Sequence, residues 1–202
     1  MPGDQYTEEF IRECVRGNLE QVIHFIDKGA DVNSADNNGN TPLMYAAIHG
    51  FTDMARLLID SGANVNANNK SGVTPLIYAC KNNQLGVMRL LVSRGADVNV
   101  KDSNGVTPFT FACQNGNMDI AHLLVDFVAD LNTRDREGNT PLMCAISNKW
   151  PGMVNFLIAK GSDLKAVNKN NKTALDIAKE RGLLRVVNEI KSKMLEEQKK
   201  AS

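Results

Sequence analysis

Apolar and polar residues follow one another along the chain in a pattern that returns every 33 residues. Residues 41–50, "TPLMYAAIHG", open on Thr-Pro and continue as a short apolar stretch. Residues 52–62, "TDMARLLIDSG", place their apolar residues on one helical stripe and end on glycine. Thr precedes helices favourably, Pro loses no hydrogen bond at the first helical position, and Gly ends helices in the left-handed conformation. We therefore predict two short helices in each period.

The same phases recur along most of the sequence. Thr41, Thr74, Thr107, Thr140 and Thr173 stand 33 residues apart, and proline follows the first four. A polar segment such as residues 64–72, "NVNANNKSG", follows each helix pair and is predicted to be an extended finger that turns near its glycine. Such a unit is too small to bury its own apolar face, so we predict that the units stack in a linear array.

These phrases resemble the ankyrin repeat family, whose unit carries G-x-TPLHxAA and LLxxGADVN. Five units match from about Asp36, and residues 10–33 resemble an N-terminal capping unit. The resemblance implies an all-α ankyrin-repeat solenoid of stacked helix-turn-helix units with projecting β-turn fingers. We expect one domain over residues 1–202, with repeats at about 4–35, 36–68, 69–101, 102–134, 135–167 and 168–192 and a charged tail at 193–202. The last helix is expected to fray beyond Ile190.

Three features depart from the family pattern. The His of TPLH is replaced by Met44, Ile77, Thr110, Met143 and Asp176, so its hydrogen bonds must be lost or replaced. Val128 stands where glycine ends the second helix, and either the helix ends differently there or a β-branched residue adopts the left-handed conformation. Trp150 replaces a small polar turn residue, and we expect it to pack across the turn rather than anchor a partner.

The first helices of stacked repeats are expected to line a concave groove that the finger tips extend. One register of these helices reads Arg12, Tyr45, Tyr78, Phe111, Cys144 and Ile177. Its aromatic residues could simply pack between adjacent helices, or they could contact a partner along the groove. We predict that the partner-binding residues are Tyr45, His49, Lys70, Tyr78, Lys81, Lys101, Phe111, Gln114, Arg134, Arg136, Cys144, Lys169 and Lys172.

Charge is unevenly distributed over the predicted surfaces, although Lys plus Arg and Asp plus Glu both number 23. The groove and finger registers hold ten basic residues against Glu137 and Glu180, a formal excess of eight. The basic residues are Arg12, Arg16, Lys70, Lys81, Lys101, Arg134, Arg136, Lys169, Lys172 and Arg181. Counting Asp36, Asp102 and Asp135, which we expect to bond their own turns, leaves an excess of five. The pattern predicts an acidic partner, unless the basic tips serve only solubility.

The sequence contains no motif of catalysis, phosphate binding or metal binding, and we expect neither enzymatic activity nor a cofactor. The zero net charge disfavours general binding to nucleic acid or to a membrane surface. The four cysteines are expected to be reduced, with Cys14, Cys80 and Cys113 buried. Cys144 belongs to the groove register, so we expect it to be more exposed and to react first with a thiol reagent.

The sequence thus predicts a non-catalytic protein–protein interaction module, an adaptor, scaffold or inhibitor that is monomeric on its own. Two alternatives remain open: a permanent subunit or assembly factor of a larger complex, and the targeting part of a larger enzyme. The first ten residues lack the basic and apolar segments of a secretory signal, and we expect a cytoplasmic or nuclear location. The sequence does not identify the partner, because a fold does not fix a function.

Overall fold

The computed structural model describes residues 2–201, with side chains for residues 5–200. Residues 2–201 form twelve α-helices and no β-strand. The helices are α1 Pro2–Arg16, α2 Leu19–Asp27, α3 Pro42–His49, α4 Thr52–Asp60, α5 Pro75–Lys81, α6 Leu85–Ser93, α7 Pro108–Asn115, α8 Met118–Asp126, α9 Pro141–Ser147, α10 Pro151–Ala159, α11 Ala174–Glu180 and α12 Leu184–Ala201. They divide between two compact parts, Met1–Ser103 and Asn104–Ser202.

Each part is built from helix pairs that pack in two layers. In the N-terminal part, α3 packs on α1 and α5, while α4 packs on α2 and α6. In the C-terminal part, α9 packs on α7 and α11, while α10 packs on α12. The first helix of each repeat thus lies in one layer and the second helix in the other. Leucines such as Leu43, Leu58, Leu142 and Leu157 are fully buried and form the core.

The threonines begin the first helices as predicted. The hydroxyls of Thr74, Thr107, Thr140 and Thr173 accept hydrogen bonds from the backbone N–H groups three residues later, at 3.1–3.4 Å. The threonine hydroxyl therefore satisfies an N–H group that the helix itself cannot bond. Proline occupies the next position in the first three of these repeats. This local chemistry explains why helices of only seven or eight residues start at the same phase in each repeat.

The asparagine of the GADVN phrase joins neighbouring repeats within a part. Asn33 donates to the carbonyl oxygen of Gly62 at 3.0 Å and accepts from the N–H of Asn64 at 2.7 Å. Asn66 does the same with Gly95 and Asp97. The last copy, "GSDLK", has Lys165 at this position, and no further GADVN phrase follows it. The phrase recurs because its amide side chain bonds the backbone at the end of the neighbouring second helix.

The replacements of the family's histidine fall into two groups. Thr110 and Asp176 retain polar contacts: the Thr110 hydroxyl lies 3.0 Å from that of Thr107, and the Thr173 hydroxyl donates to Asp176 at 2.6 Å. Met44, Ile77 and Met143 are buried apolar side chains. The hydrogen bonds expected from the family pattern are therefore partly replaced and partly exchanged for apolar packing.

The terminal helix is longer than expected. α12 continues from Leu184 to Ala201 instead of fraying after Ile190. Alternating basic and acidic residues allow pairing along its exposed surface, and Lys193 lies 3.5 Å from Glu196 one turn later.

The expectation of a single domain over residues 1–202 stays a prediction, because the two compact parts are described separately.

Val128 adopts the left-handed conformation, with φ at 62°, at the position where Gly29, Gly62, Gly95 and Gly161 end the other second helices. Its side chain is 82% exposed, so packing offers little compensation for the strained backbone. For residues other than glycine this conformation costs roughly 1–2 kcal/mol. The β-branched residue is therefore strained, and the structure contradicts the interpretation that the helix ends in another way.

Replacing Val128 with glycine is expected to raise the free energy of unfolding by about 1 kcal/mol, the relief of strain less the added chain entropy. Urea unfolding monitored by circular dichroism measures the change. Asn171→Gly is the matched control, because Asn171 has φ at 56° and asparagine tolerates this region. A Val128→Gly midpoint no higher than that of the wild type would show that the strain is not released.

Candidate functional site

Each finger is held by a side chain at its base. Asp36 Oδ1 accepts hydrogen bonds from the N–H groups of Asn38 and Asn40, both at 2.8 Å. Asn69 bonds the N–H groups of Ser71 and Val73 in the same way, at 2.9 and 3.0 Å. Asp135 and Asn168 repeat the arrangement in the C-terminal part. The expectation that Asp36 and Asp135 bond their own turns is confirmed, so their negative charges are engaged at the bases of the tips.

Neighbouring finger tips are connected through their backbones. The N–H of Lys70 donates to the carbonyl oxygen of Asn38 at 3.1 Å, and that of Ser103 donates to Ser71 at 2.9 Å. In the C-terminal part, the N–H of Lys169 donates to Glu137 at 2.9 Å. Each bond holds a residue of one tip against the preceding tip. The tips within each part are consequently presented at fixed spacings and not as independent loops.

The predicted tyrosine register lies against the fingers. The Tyr45 hydroxyl donates to Asp36 Oδ2 at 2.6 Å. The Tyr78 hydroxyl donates to Asn40 Oδ1 at 3.1 Å and accepts from Asn69 Nδ2 at 3.0 Å. Both rings are half-buried, so the hydroxyls are fixed while part of each ring remains accessible. Packing between helices and contact with a partner are both compatible with this arrangement.

The carboxyl of Asp36 is tuned by its surroundings. Burial alone would raise its pKa, but hydrogen bonds from the Tyr45 hydroxyl and from the N–H groups of Asn40 and Asn38 outweigh burial and lower the pKa below its ordinary value. Burial, together with the bond to Asp36, raises the pKa of Tyr45 to about 12. Above the unfolded pKa of Asp36, ionisation therefore favours the folded state, and this stabilisation is lost as the pH falls through the lower, folded pKa.

Replacing Asp36 with asparagine is expected to remove this acid-dependent contribution, which is on the order of 1 kcal/mol for charge-assisted hydrogen bonds of a partly exposed group. The gap in unfolding free energy between wild type and Asp36→Asn should be largest near neutral pH and close as the pH falls below the folded pKa of Asp36. Urea unfolding at a series of pH values measures it. Asp53→Asn, on the exposed face of α4, controls for the change in charge. A gap that widens on acidification would contradict the assignment.

The predicted basic residues lie at the surface. Lys70, Lys81, Lys101, Arg134, Arg136 and Lys169 are exposed, and Lys172 is half-buried. Several of them also stabilise the fingers: Lys70 Nζ donates to the carbonyl oxygen of Asn37 at 2.6 Å, and Arg134 donates to that of Val167 at 2.8 Å. Lys172 forms an ion pair with Glu180 at 2.8 Å, so its charge is partly balanced. Of the other predicted polar residues, His49 is exposed and Gln114 is half-buried.

The second helices carry the opposite charge. From α2 to α10 they contain six acidic and two basic residues: Glu20, Asp27, Asp53, Asp60, Asp119 and Asp126 against Arg56 and Arg89. The terminal helix α12 differs, with five basic and three acidic residues. The second helices before α12 are therefore net negative, whereas most of the exposed basic residues named above lie on the fingers.

Cys144 is more exposed than the other three cysteines, as expected, but it is buried. Its reaction before the other thiols stays a prediction. Cys144 is 7% exposed, although it shares a register with half-buried Phe111. The amide Nε2 of Gln114 lies 3.9 Å from the Cys144 sulfur, and burial raises the pKa of the thiol to about 11, with Asp135 adding to the rise. Cys14, Cys80 and Cys113 are buried as predicted. We therefore leave Cys144 out of the surface proposed below.

Trp150 packs across the turn before α10, as predicted. Its indole Nε1 donates to the carbonyl oxygen of Gln114 at 2.9 Å, and its ring lies against Gly116 of the preceding repeat. A Cβ atom at Gly116 would lie 2.5 Å from the ring atom Cδ2, so glycine is needed for this contact. Trp150 nevertheless remains 43% exposed.

The helix pairs, the finger turns and the repeated phrases together decide the family. A family model described as "Ankyrin repeats (3 copies)" matches residues 11–102, 95–168 and 111–200. The chain belongs to the ankyrin repeat family. The fold class expected from the resemblance, an all-α ankyrin-repeat solenoid, is confirmed. Ankyrin repeats are general protein–protein interaction modules and are typically non-catalytic.

A curated relative also contains this repeat. "Ankyrin repeat, SAM and basic leucine zipper domain-containing protein 1" of Eulemur macaco macaco is 34% identical to this chain over 58 residues. The aligned segment covers 29% of this chain and 12% of that protein. The similarity therefore concerns a short run of repeats within a longer protein.

The part of this ankyrin repeat protein that the structure describes contains neither a candidate metal-binding cluster nor a helix that could span a membrane. Among those residues, no group of three or more His, Cys, Asp and Glu side chains could hold a metal ion. None of the described helices is long and apolar enough to cross a membrane.

Sequence analysis missed the asparagines that link fingers within each part. Asn69 Nδ2 donates to Asn40 Oδ1 at 2.8 Å, and Asn168 Nδ2 donates to Asn139 Oδ1 at the same distance. The signal was present in the sequence, because asparagine replaces aspartate at the base of the finger at both positions. Aspartate only accepts hydrogen bonds, whereas asparagine can also donate one to the preceding finger.

Proposed function

We propose that this ankyrin repeat protein binds an acidic segment of a partner protein through the finger tips and first helices of its repeats. The exposed basic residues at the tips carry the proposal, because they form the positive side of a chain whose formal net charge is zero. Complementary charge would steer an acidic segment to this side and set its register more than it would add affinity.

The finger geometry supports the same proposal. Lys70 occupies a tip whose base is fixed by Asn69 and whose backbone bonds the preceding tip. A charge held on a fixed backbone loses less freedom on binding than one on a mobile loop. The half-buried rings of Tyr45 and Tyr78 lie beside the finger bases and would supply apolar contact. Tyrosine suits such a position because it combines a large apolar ring with a fixed polar end.

We further propose that the protein acts as a monomeric adaptor, scaffold or inhibitor in the cytoplasm or nucleus. The four cysteines are buried thiols, a state typical of reducing compartments. The acidic residues of the second helices, from α2 to α10, would repel an acidic segment from the opposite layer. Light scattering of the purified chain over a range of concentrations tests the monomer directly.

Selection from a randomised displayed peptide library tests the binding proposal and requires no identified partner. Peptides enriched on the wild type should contain more Asp and Glu than Lys and Arg. They should bind the Arg56→Glu/Arg89→Glu variant more tightly than Lys70→Glu/Lys81→Glu, although both variants change the net charge equally. Enrichment without an acidic bias, or equal loss of binding in both variants, would contradict the proposal.

A further inference from the structure

The turn between α9 and α10 differs from the other inter-helix turns. In those turns a glycine or an asparagine takes the left-handed position, at Gly17, Gly50, Asn83, Gly116 and Gly182, whereas Lys149 adopts φ at 60° here. The next residue, Trp150, fixes one part of its ring against Gly116 while 43% of its surface stays exposed. A large aromatic side chain is therefore held in place at the protein surface, where it can contact a ligand at little entropic cost.

An apolar pocket opens beside Trp150. It encloses about 430 Å³ between the start of α10 and the turn that leads into α12. Its apolar lining includes Ile146, Trp150, Pro151, Val154, Leu184 and Val186. Ile146, Val154 and Val186 are buried and form its floor, whereas Leu184 is 74% exposed at its edge. Ligand pockets have volumes of about 300–1,000 Å³, so the space suits a bulky side chain with its adjoining backbone.

The charges at the rim have one sign. Lys149 and Arg185 are the charged side chains that line the pocket, and both are exposed. Neither takes part in an ion pair within the part of the chain that the structure describes. An apolar floor with two exposed cations above it complements an apolar side chain flanked by carboxylates.

We propose that this Trp150 pocket binds a bulky apolar side chain of a partner-protein segment, with aspartate or glutamate on either side of it. The apolar residue would fill the floor beside the indole, and the flanking carboxylates would face Lys149 and Arg185. A basic segment would bring like charges to the rim, and a purely polar one would leave the apolar lining without a partner. The pocket shares no residue with the finger tips, so the proposal stands independently of the finger surface.

Trp150 is the only tryptophan of the chain, so its fluorescence reports directly on the pocket. The probes are acetylated and amidated peptides with a central Leu or Phe flanked by Glu, together with a central Ser version and a Lys-flanked version. The full chain should show a saturable blue shift with the Glu-flanked Leu and Phe peptides. The Ser peptide should give no saturable shift, and the Lys-flanked peptides should bind about tenfold more weakly.

Matched leucine variants locate the response. Leu184→Ser should weaken binding about tenfold, since it removes an exposed apolar wall. Leu195→Ser should leave binding unchanged, because Leu195 is 58% exposed on the same helix but does not line the pocket. Equal unfolding midpoints of the two variants would show that neither change disrupts the fold. Lys70→Glu/Lys81→Glu should keep the fluorescence response, which separates failure here from failure of the finger proposal.

Three results would overturn the proposal. The Glu-flanked Leu and Phe peptides could shift the emission no more than the Ser peptide. Leu195→Ser could weaken binding as much as Leu184→Ser, which would place the contact elsewhere on α12. The emission could also shift with protein concentration alone, and a second copy of this chain would then be the occupant.

Discussion

Replacing Asn69 with alanine is expected to lower the free energy of unfolding by about 3 kcal/mol. Asn69 is buried, and its amide makes four hydrogen bonds: it accepts from the N–H groups of Ser71 and Val73 and donates to Asn40 and Tyr78. Alanine would leave several of these groups without partners, and an unsatisfied buried polar group costs roughly 1–3 kcal/mol. Urea unfolding monitored by circular dichroism measures the loss.

Two further variants separate the amide's roles. Asn68→Ala changes the exposed neighbour and should alter stability by less than about 0.5 kcal/mol. Asn69→Asp keeps the acceptor for the finger but removes the donor to Asn40, so its stability should lie between those of wild type and Asn69→Ala. If the free energy of unfolding of Asn69→Ala lies within about 0.5 kcal/mol of the wild-type value, the finger network does not stabilise the fold.

Reversing two charges in the N-terminal part is expected to slow the association of an acidic peptide about tenfold or more at low salt. Lys70→Glu/Lys81→Glu removes two exposed cations, one from a finger tip and one from the end of α5. Electrostatic steering changes association rates by about 10- to 1,000-fold, and salt weakens it. Stopped-flow kinetics with an acidic peptide from the selection measure the rate at low and at near-physiological salt, about 0.15 M.

The outer-layer control makes this test specific. Arg56→Glu/Arg89→Glu reverses two exposed charges on α4 and α6 and produces the same net charge. Its association rate should fall less than that of Lys70→Glu/Lys81→Glu. Similar slowing in both variants would mean that the peptide responds to total charge. Unchanged rates in both would leave the basic tips as a solubility feature.

Much of the fold could be predicted because the signals that start and end each helix act over only a few residues. Thr74 and Pro75 start a helix through a hydroxyl acceptor and a missing N–H group, which act within one turn. Gly62 ends a helix because it can adopt a positive φ. Val128 shows that this turn adopts a positive φ even without glycine, because its backbone is left-handed although valine disfavours that conformation.

The candidate site was less predictable because exposure depends on neighbouring side chains. Cys144 has the helical phase of a surface residue, yet the nearby Gln114 amide and surrounding packing leave it 7% exposed. The partners of the tyrosine hydroxyls also required the structure: Tyr45 donates to Asp36, whereas Tyr78 accepts from Asn69 at the equivalent position and donates to Asn40 of the preceding finger. Periodicity assigns a residue to a face of its helix, whereas the residues that cover that face come from elsewhere in the chain.

Mapping a bound acidic peptide by backbone-amide NMR tests the central claim most directly. The isotopically labelled full chain would be titrated with a peptide from the selection, and its amide shifts followed residue by residue. We predict that the largest shifts in the N-terminal part fall on the finger around Lys70 and on the C-terminal end of α5 around Lys81. Shifts confined to the second helices α2, α4 and α6 would contradict the claim that the fingers and first helices bind the partner.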